Sequence, residues 1–185
     1  MPSPSLPPPR HPSGPYRISL VCLGNICRSP MAEVVVRTEL ARAGLAGQVE
    51  VDSAGTGDWH VGQPMYRGAL DELARRGYEG SGHRARQIQR SWLARYDLVL
   101  AMDLSNLADL RRMDPEAFAA GRIQLLRSFD PGLPPQDAYH DAVPDPYGGN
   151  PEEFELAFDL IEAAARGLAG QLAEFLGARA ARNRP

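Results

Sequence analysis

The stretch Val21-Cys22-Leu23-Gly24-Asn25-Ile26-Cys27-Arg28-Ser29-Pro30 decides how this chain is read. An apolar run over residues 16–23 leads into it and reads as a strand. Pro30 suits an early helical position, and Met31, Val34, Val35 and Thr38 then mark one helical face to about residue 42. Cys22 and Arg28 therefore lie six residues apart on a strand-to-helix turn. Backbone N–H groups converging at a helix N-terminus suit a phosphate dianion, and Leu23, Gly24, Asn25, Ile26, Cys27 and Arg28 can supply them. Gly24 permits close approach, and Asn25 is among the few non-glycine residues that tolerate left-handed backbone. Arg28 adds a planar fork that grips two phosphate oxygens. The field that binds phosphate also favours the thiolate of Cys22, the form that attacks.

Outward from this loop, strands and helices alternate. Gly44 and Gly47 break the chain before a short strand over 48–52. Residues 65–76 read as a helix with Ala69, Leu70 and Leu73 inward, stopped by Gly77. The apolar run 96–102 predicts a strand covered on both faces. A helix over 105–112 and a strand over 122–126 follow, then a long proline-rich loop over 127–149. Loops of that length are usually functional or disordered. Phe154, Ala157, Phe158, Ile161, Ala164, Ala165, Leu168, Leu172 and Phe175 recur at helical spacing and predict a last helix over 151–176. The alternation predicts an α/β fold, a parallel sheet with helices on both faces. Ligands in such folds gather at the carboxyl ends of strands where strand order reverses, which is where the Cys22 loop stands.

The chain of 185 residues suits one domain. A net charge of −3 with interspersed arginines argues against nucleic acid as a partner. No apolar run approaches the ~20 residues that span a bilayer, so no membrane partner is expected, and no secretory h-region opens the chain. The two cysteines, Cys22 and Cys27, both lie in the loop, so a reducing, cytoplasmic setting is expected. They lack a second ligand pair, so neither metal nor cofactor is expected. Residues 1–15 hold seven prolines and predict a disordered proline-rich tail, its partner open. Residues 178–185 predict a flexible end. Asp103, after a strand, reads as a helix N-cap. Four aspartates, Asp130, Asp137, Asp141 and Asp145, share the long loop. Asp145 stands out between Pro144 and Pro146, but spacing alone does not choose among the four.

Cys22 to Pro30 resembles the phosphate-binding loop of the low-molecular-weight protein tyrosine phosphatases. Asp52-Ser53-Ala54-Gly55-Thr56, His83-Arg84-Ala85-Arg86-Gln87-Ile88, Ala101-Met102-Asp103 and Asp145-Pro146-Tyr147-Gly148-Gly149 resemble further family segments in the same order, so the resemblance covers residues 16–177. It implies a three-layer fold whose four-stranded parallel sheet is flanked by helices, with the phosphatase loop after the first strand. It also implies phosphotyrosine-containing proteins and small aryl phosphates as substrates, hydrolysed through a phosphocysteine on Cys22, with Arg28 stabilising the transferring group and Asp145 as general acid and base. Ser29, Asn25, Ser53 and His83 resemble the family's supporting network. Cys27, by the same resemblance, shelters Cys22 through a reversible disulfide. Trp59, Tyr147 and Leu23 are the expected walls of an aryl slot. One departure is plain: Gly148 follows Tyr147 where many members carry a second tyrosine. An arsenate reductase on the same fold would need cysteines beyond Cys27. A silent phosphopeptide-binding module would need neither nucleophile nor acid.

Overall fold

The computed structural model describes residues 4–133 and 142–182. Along the chain come β1 (Tyr16–Cys22), α1 (Arg28–Arg42), β2 (Val49–Gly55), α2 (Arg67–Arg75), α3 (Arg90–Leu93), β3 (Leu98–Ala101), α4 (Leu104–Met113), α5 (Pro115–Ala119), β4 (Ile123–Leu125), a 3-10 turn (Leu126–Phe129) and α6 (Pro151–Arg182). The four strands are all parallel, in the order β2-β1-β3-β4. This is the α/β architecture that the alternation implied.

β1 is central and apolar on both sides, and strand alternation sorts its side chains into two layers. Ile18, Leu20 and Cys22 join Met31 and Val35 of α1 and Phe158 and Ile161 of α6. Val21 joins Leu93, Leu110 and Ala117 from α3, α4 and α5. Each such leucine or isoleucine, wholly removed from water, contributes about 1.5–3 kcal/mol before chain entropy is counted. The path from β1 to β2 goes one way along the sheet and the path from β2 to β3 returns past β1. The crevice at that reversal is bounded by the residues after β1 and after β3, namely the Cys22 loop and Asp103.

Three features differ from the sequence expectation. β2 runs on to Gly55 because Ser53, Ala54 and Gly55, weak strand formers, pair with Leu20, Val21 and Cys22 of the buried central strand. α3 and α5 are too short to leave a periodicity. α6 continues past residue 177 to Arg182, carried by Ala178, Ala180 and Ala181, so the expected flexible end begins as helix.

Residues 4–15 hold no helix or strand, yet they are not the free tail their composition implied. Pro7 is buried, and Leu6 packs on the larger apolar cluster. Tyr16 Oη donates to Pro7 O (3.0 Å), Gln124 Nε2 to Ser5 O (2.9 Å) and Arg122 NH1 to Pro8 O (3.0 Å). Arg10 donates its backbone N–H to Asp97 Oδ1 (2.5 Å) and its Nε to Tyr96 O (2.8 Å). Prolines cannot build a core, but their carbonyls accept hydrogen bonds, and here the domain supplies the donors. No helix among the described residues is long and apolar enough to cross a membrane.

Candidate active site

Cys22 ends β1 opposite Gly55 of β2. The chain then turns through Asn25, whose φ of 55° is the one positive value at a non-glycine position among the described residues. That conformation costs about 1–3 kcal/mol and persists only where neighbours enforce it. The neighbours are all present. Arg86 N–H donates to Asn25 Oδ1 (2.9 Å), which fixes the orientation of the amide. Asn25 Nδ2 then donates to Ser29 Oγ and to Ser53 Oγ, each at 2.9 Å. His83 Nε2 donates to Asn25 O at 2.7 Å. Held this way, Asn25 N–H points at Cys22 Sγ (3.3 Å), and Ser29 Oγ stands 3.0 Å from the same sulfur. The supporting residues expected from the sequence are thus brought together around one buried amide.

Gly55 explains why the loop can lie so close to β2. A Cβ there would meet Leu23 O at 2.6 Å and Asn25 N at 3.0 Å. The loop returns two further bonds to the same segment: Thr56 N–H to Cys22 O and Gly57 N–H to Leu23 O, both 2.9 Å. α1 begins with no side-chain cap and no acid in its first turn. That leaves its N-terminal end suited to an anionic ligand.

Arg28 is almost wholly buried beside this loop. Its NH1 donates to Asp103 Oδ2 (2.5 Å) and Val143 O (3.2 Å), and its NH2 to Asp145 Oδ2 (3.0 Å). Its Nε has no protein partner among the described residues. Burial pulls the guanidinium down, but Cys22, the Asp103 hydrogen bond and Asp145 outweigh it and hold Arg28 above its usual value. Asp103 is the expected N-cap, accepting from Asn106 N–H at 2.8 Å. Its second oxygen aims Arg28, a task the sequence did not indicate.

The structure also separates the loop aspartates. Asp130 pairs with Arg127 at 3.4 Å and accepts from Gly132 N–H. Asp137 and Asp141 lie outside the described residues. Asp145 reaches Arg28 with its side chain 43% exposed, so it meets both the crevice and water. Its segment is moored two residues earlier, where buried Val143 donates its N–H to Met102 O at 2.7 Å.

Cys27 is buried and free, as is Cys22. Burial, and then negative charge at Cys22 and Asp145, push the Cys27 thiol well up, so it is protonated at neutral pH. His83 goes the other way for a base. Burial pulls it below its ordinary value of 6.5, against the Asn25 carbonyl and Glu33, with Arg86 and Arg84 adding to the fall.

Leu23, Trp59 and Tyr147 are all exposed at the surface. Tyr147 lies 5.1 Å from the Tyr66 ring and 6.0 Å from His60, and Tyr66 stacks on Phe154 at 5.8 Å. The Trp59 ring folds over Gly57 instead. His60 packs on Gly24, where its Cδ2 would lie 2.9 Å from an added Cβ. Tyr66 ties its N–H to Ile26 O at 2.7 Å. Sequence reasoning passed over His60 and Tyr66. The one available signal was the place of His60 beside Trp59.

Residues 17–177 match the family described as low molecular weight phosphotyrosine protein phosphatase. The chain belongs to that family. It is 47% identical over 166 residues to a low molecular weight protein-tyrosine-phosphatase of Streptomyces coelicolor, spanning 90% of this chain and 99% of the relative. It is 42% identical over 174 residues to the low molecular weight protein-tyrosine phosphatase A of Mycobacterium tuberculosis, spanning 94% and 99%. The crystal structure of a protein tyrosine phosphatase from Entamoeba histolytica, with Hepes in its active site, superposes with a TM-score of 0.78 at 31% identity. It covers 86% of this chain and 97% of that one. The chain is a phosphatase enzyme, and its family acts on phosphotyrosine.

Two outcomes follow for this phosphatase. Gly55→Ala forces Leu23 and Asn25 backbone atoms to move, and such a misplacement lowers kcat about a hundredfold while circular dichroism stays native. Near-native turnover would show that the close approach is dispensable. For His83, the folded value lies below the unfolded one, so the unfolded chain takes the extra proton first. The stability this residue confers is complete above its ordinary 6.5 and is lost as pH falls toward the folded value. Urea unfolding between pH 7 and pH 5 should therefore fall more steeply in wild type than in His83→Gln; equal slopes would contradict it.

Proposed function

We propose that this enzyme hydrolyses phosphotyrosine in proteins, and small aryl phosphates, through a phosphocysteine on Cys22. The observation that carries the reading is the position of Arg28: one buried guanidinium on the Cys22 loop that also holds Asp145 at 3.0 Å. Phosphate oxygens compete for that fork through Arg28 and the amides of residues 23–28, and they displace the Asp145 carboxylate from it. Freed from Arg28, the half-exposed Asp145 carboxyl exchanges protons with water and enters the chemical step protonated. The Cys22 sulfur bonds to phosphorus as the bond from phosphorus to the aryl oxygen breaks, and Asp145 passes its proton to the departing phenolate. Water next attacks phosphorus, its proton goes to Asp145, the sulfur–phosphorus bond breaks and phosphate leaves. Ser29 donates to the sulfur and keeps it a good leaving group, while Asn25, Ser53 and His83 hold the loop.

Leu23 and Tyr147, joined by His60 and Tyr66, wall the aryl slot, while the Trp59 ring lies over Gly57. A phosphoserine side chain is too short to bring its phosphorus down such a slot to Cys22. Phosphotyrosine-containing proteins are the partners, in signalling, and the two free thiols suit the cytoplasm.

The deciding experiment pairs leaving groups with variants. Cys22→Ser abolishes turnover of every substrate. Asp145→Ala lowers kcat for phenyl phosphate by about 10²–10⁴, and far less for p-nitrophenyl phosphate, whose leaving group needs no proton. Matched phosphotyrosine and phosphoserine peptides separate, with the tyrosine peptide preferred. Activity in Cys22→Ser, or equal Asp145→Ala losses for both aryl substrates, would overturn the assignment.

Cys27 has a protective role in this reading. When peroxide oxidises Cys22 to a sulfenic acid, the Cys27 thiol condenses with it, releasing water and forming a disulfide that a thiol reductant opens. Excess peroxide carries an unprotected sulfenic acid on to the irreversible sulfinic acid, so after such treatment wild type should regain activity on adding dithiothreitol and Cys27→Ser should not. Equal recovery of the two would remove Cys27 from this role.

A further inference from the structure

Each hydroxyl has one proton to give, so the direction of every bond behind the loop can be counted. Arg86 N–H on Asn25 Oδ1 leaves both Asn25 Nδ2 protons for Ser29 Oγ and Ser53 Oγ. Ser53, used there as an acceptor, sends its own proton to Glu33 Oε2 at 2.6 Å. The other oxygen of Glu33 is taken by Arg37 NH2, also at 2.6 Å, and Arg37 NH2 is further fixed on Val51 O at 2.7 Å. Ser29, Glu33 and Arg37 lie four residues apart along α1 and so share one face of the helix. The Glu33 side chain is only 14% exposed and is paired with Arg37. No motif in the sequence singled out Glu33.

We propose that Glu33 is a positioning residue for the nucleophile. Its carboxylate, oriented by Arg37, takes the proton of Ser53. The Asn25 amide then stays seated on both serines, and the single proton of Ser29 is left for Cys22. That proton has two acceptors, the sulfur at 3.0 Å and Ala54 O at 3.2 Å. A charged sulfur makes the stronger, charge-assisted bond. The inference rests on Cys22 being the nucleophile, which the Cys22→Ser experiment tests separately.

The test uses the difference between a carboxylate and an amide. Glutamine at position 33 has one acceptor where glutamate has two. With Arg37 in place, the amide oxygen faces the guanidinium and the NH2 group confronts Ser53, whose proton then finds no acceptor. Removing Arg37 as well lets the amide turn over and offer its oxygen to Ser53. Alkylation of Cys22 by iodoacetamide at about pH 5, located by peptide mass, reports the thiolate without any need for turnover. Glu33→Gln slows alkylation roughly fivefold, the order of one hydrogen bond. The deficit closes near pH 10, where an ordinary thiol is ionised anyway. Glu33→Gln combined with Arg37→Leu restores the rate at about pH 5, and kcat follows the same order. Wild-type alkylation in Glu33→Gln, a double variant no faster than the single one, or a deficit that persists at every pH would each overturn the proposal.

Discussion

The loop between β1 and α1 depends on the side-chain amide of Asn25. A left-handed residue that is not glycine is held in place by Arg86, Ser29, Ser53 and His83, all bonded to its backbone or side chain. These partners come from the segment after β1, from β2 and from the stretch before α3, so assembling the sheet and shaping the loop are one event. Because the amide is buried, every one of its polar atoms must be satisfied inside the protein. The network therefore admits one arrangement, and the two groups that approach the Cys22 sulfur, Asn25 N–H and Ser29 Oγ, are placed by it rather than by the local chain.

Arg28 supplies the second fixed point. Its guanidinium binds Asp103 just after β3, and Val143 and Asp145 in the segment before α6. Parallel strands deliver the Cys22 loop and Asp103 to the same crevice without special loop design, because both follow the carboxyl ends of neighbouring strands. Asp145 arrives differently, on a segment moored through Val143 to Met102. The Cys22 loop is thus framed on several sides, and the proposed acid sits on an exposed extension of a buried anchor. That division suits a group which must trade partners when an anion enters.

Much of this was legible in the sequence. Cys22, Arg28 and Pro30 mark a strand-to-helix loop because each residue type has a local reason to be there. The periodicity of residues 154–175 marks α6 for the same kind of reason. What escaped detection was long-range. Glu33 and Arg86 look like ordinary solvated helix and loop charges until the fold sets them beside Ser53 and Asp52. His60 and Tyr66 have no periodic signature, and their contact with Gly24 and Tyr147 exists only after α2 has docked. The segment before β1 misled for a related reason. Its prolines exclude a core of its own, but composition does not record the donors that Arg122, Gln124 and Tyr16 offer it.

That segment gives the molecule two poles. Residues 5–10 lie along the starts of β1, β3 and β4, while Pro9 and His11 share a shallow cavity with Leu176 and Arg179 of α6. The crevice opens at the opposite, carboxyl ends of the strands. Both ends of the described chain therefore leave from the side away from the Cys22 loop. A support, a fusion or a neighbouring domain joined at either terminus leaves the crevice facing outward, open to a phosphorylated side chain on something as large as another protein.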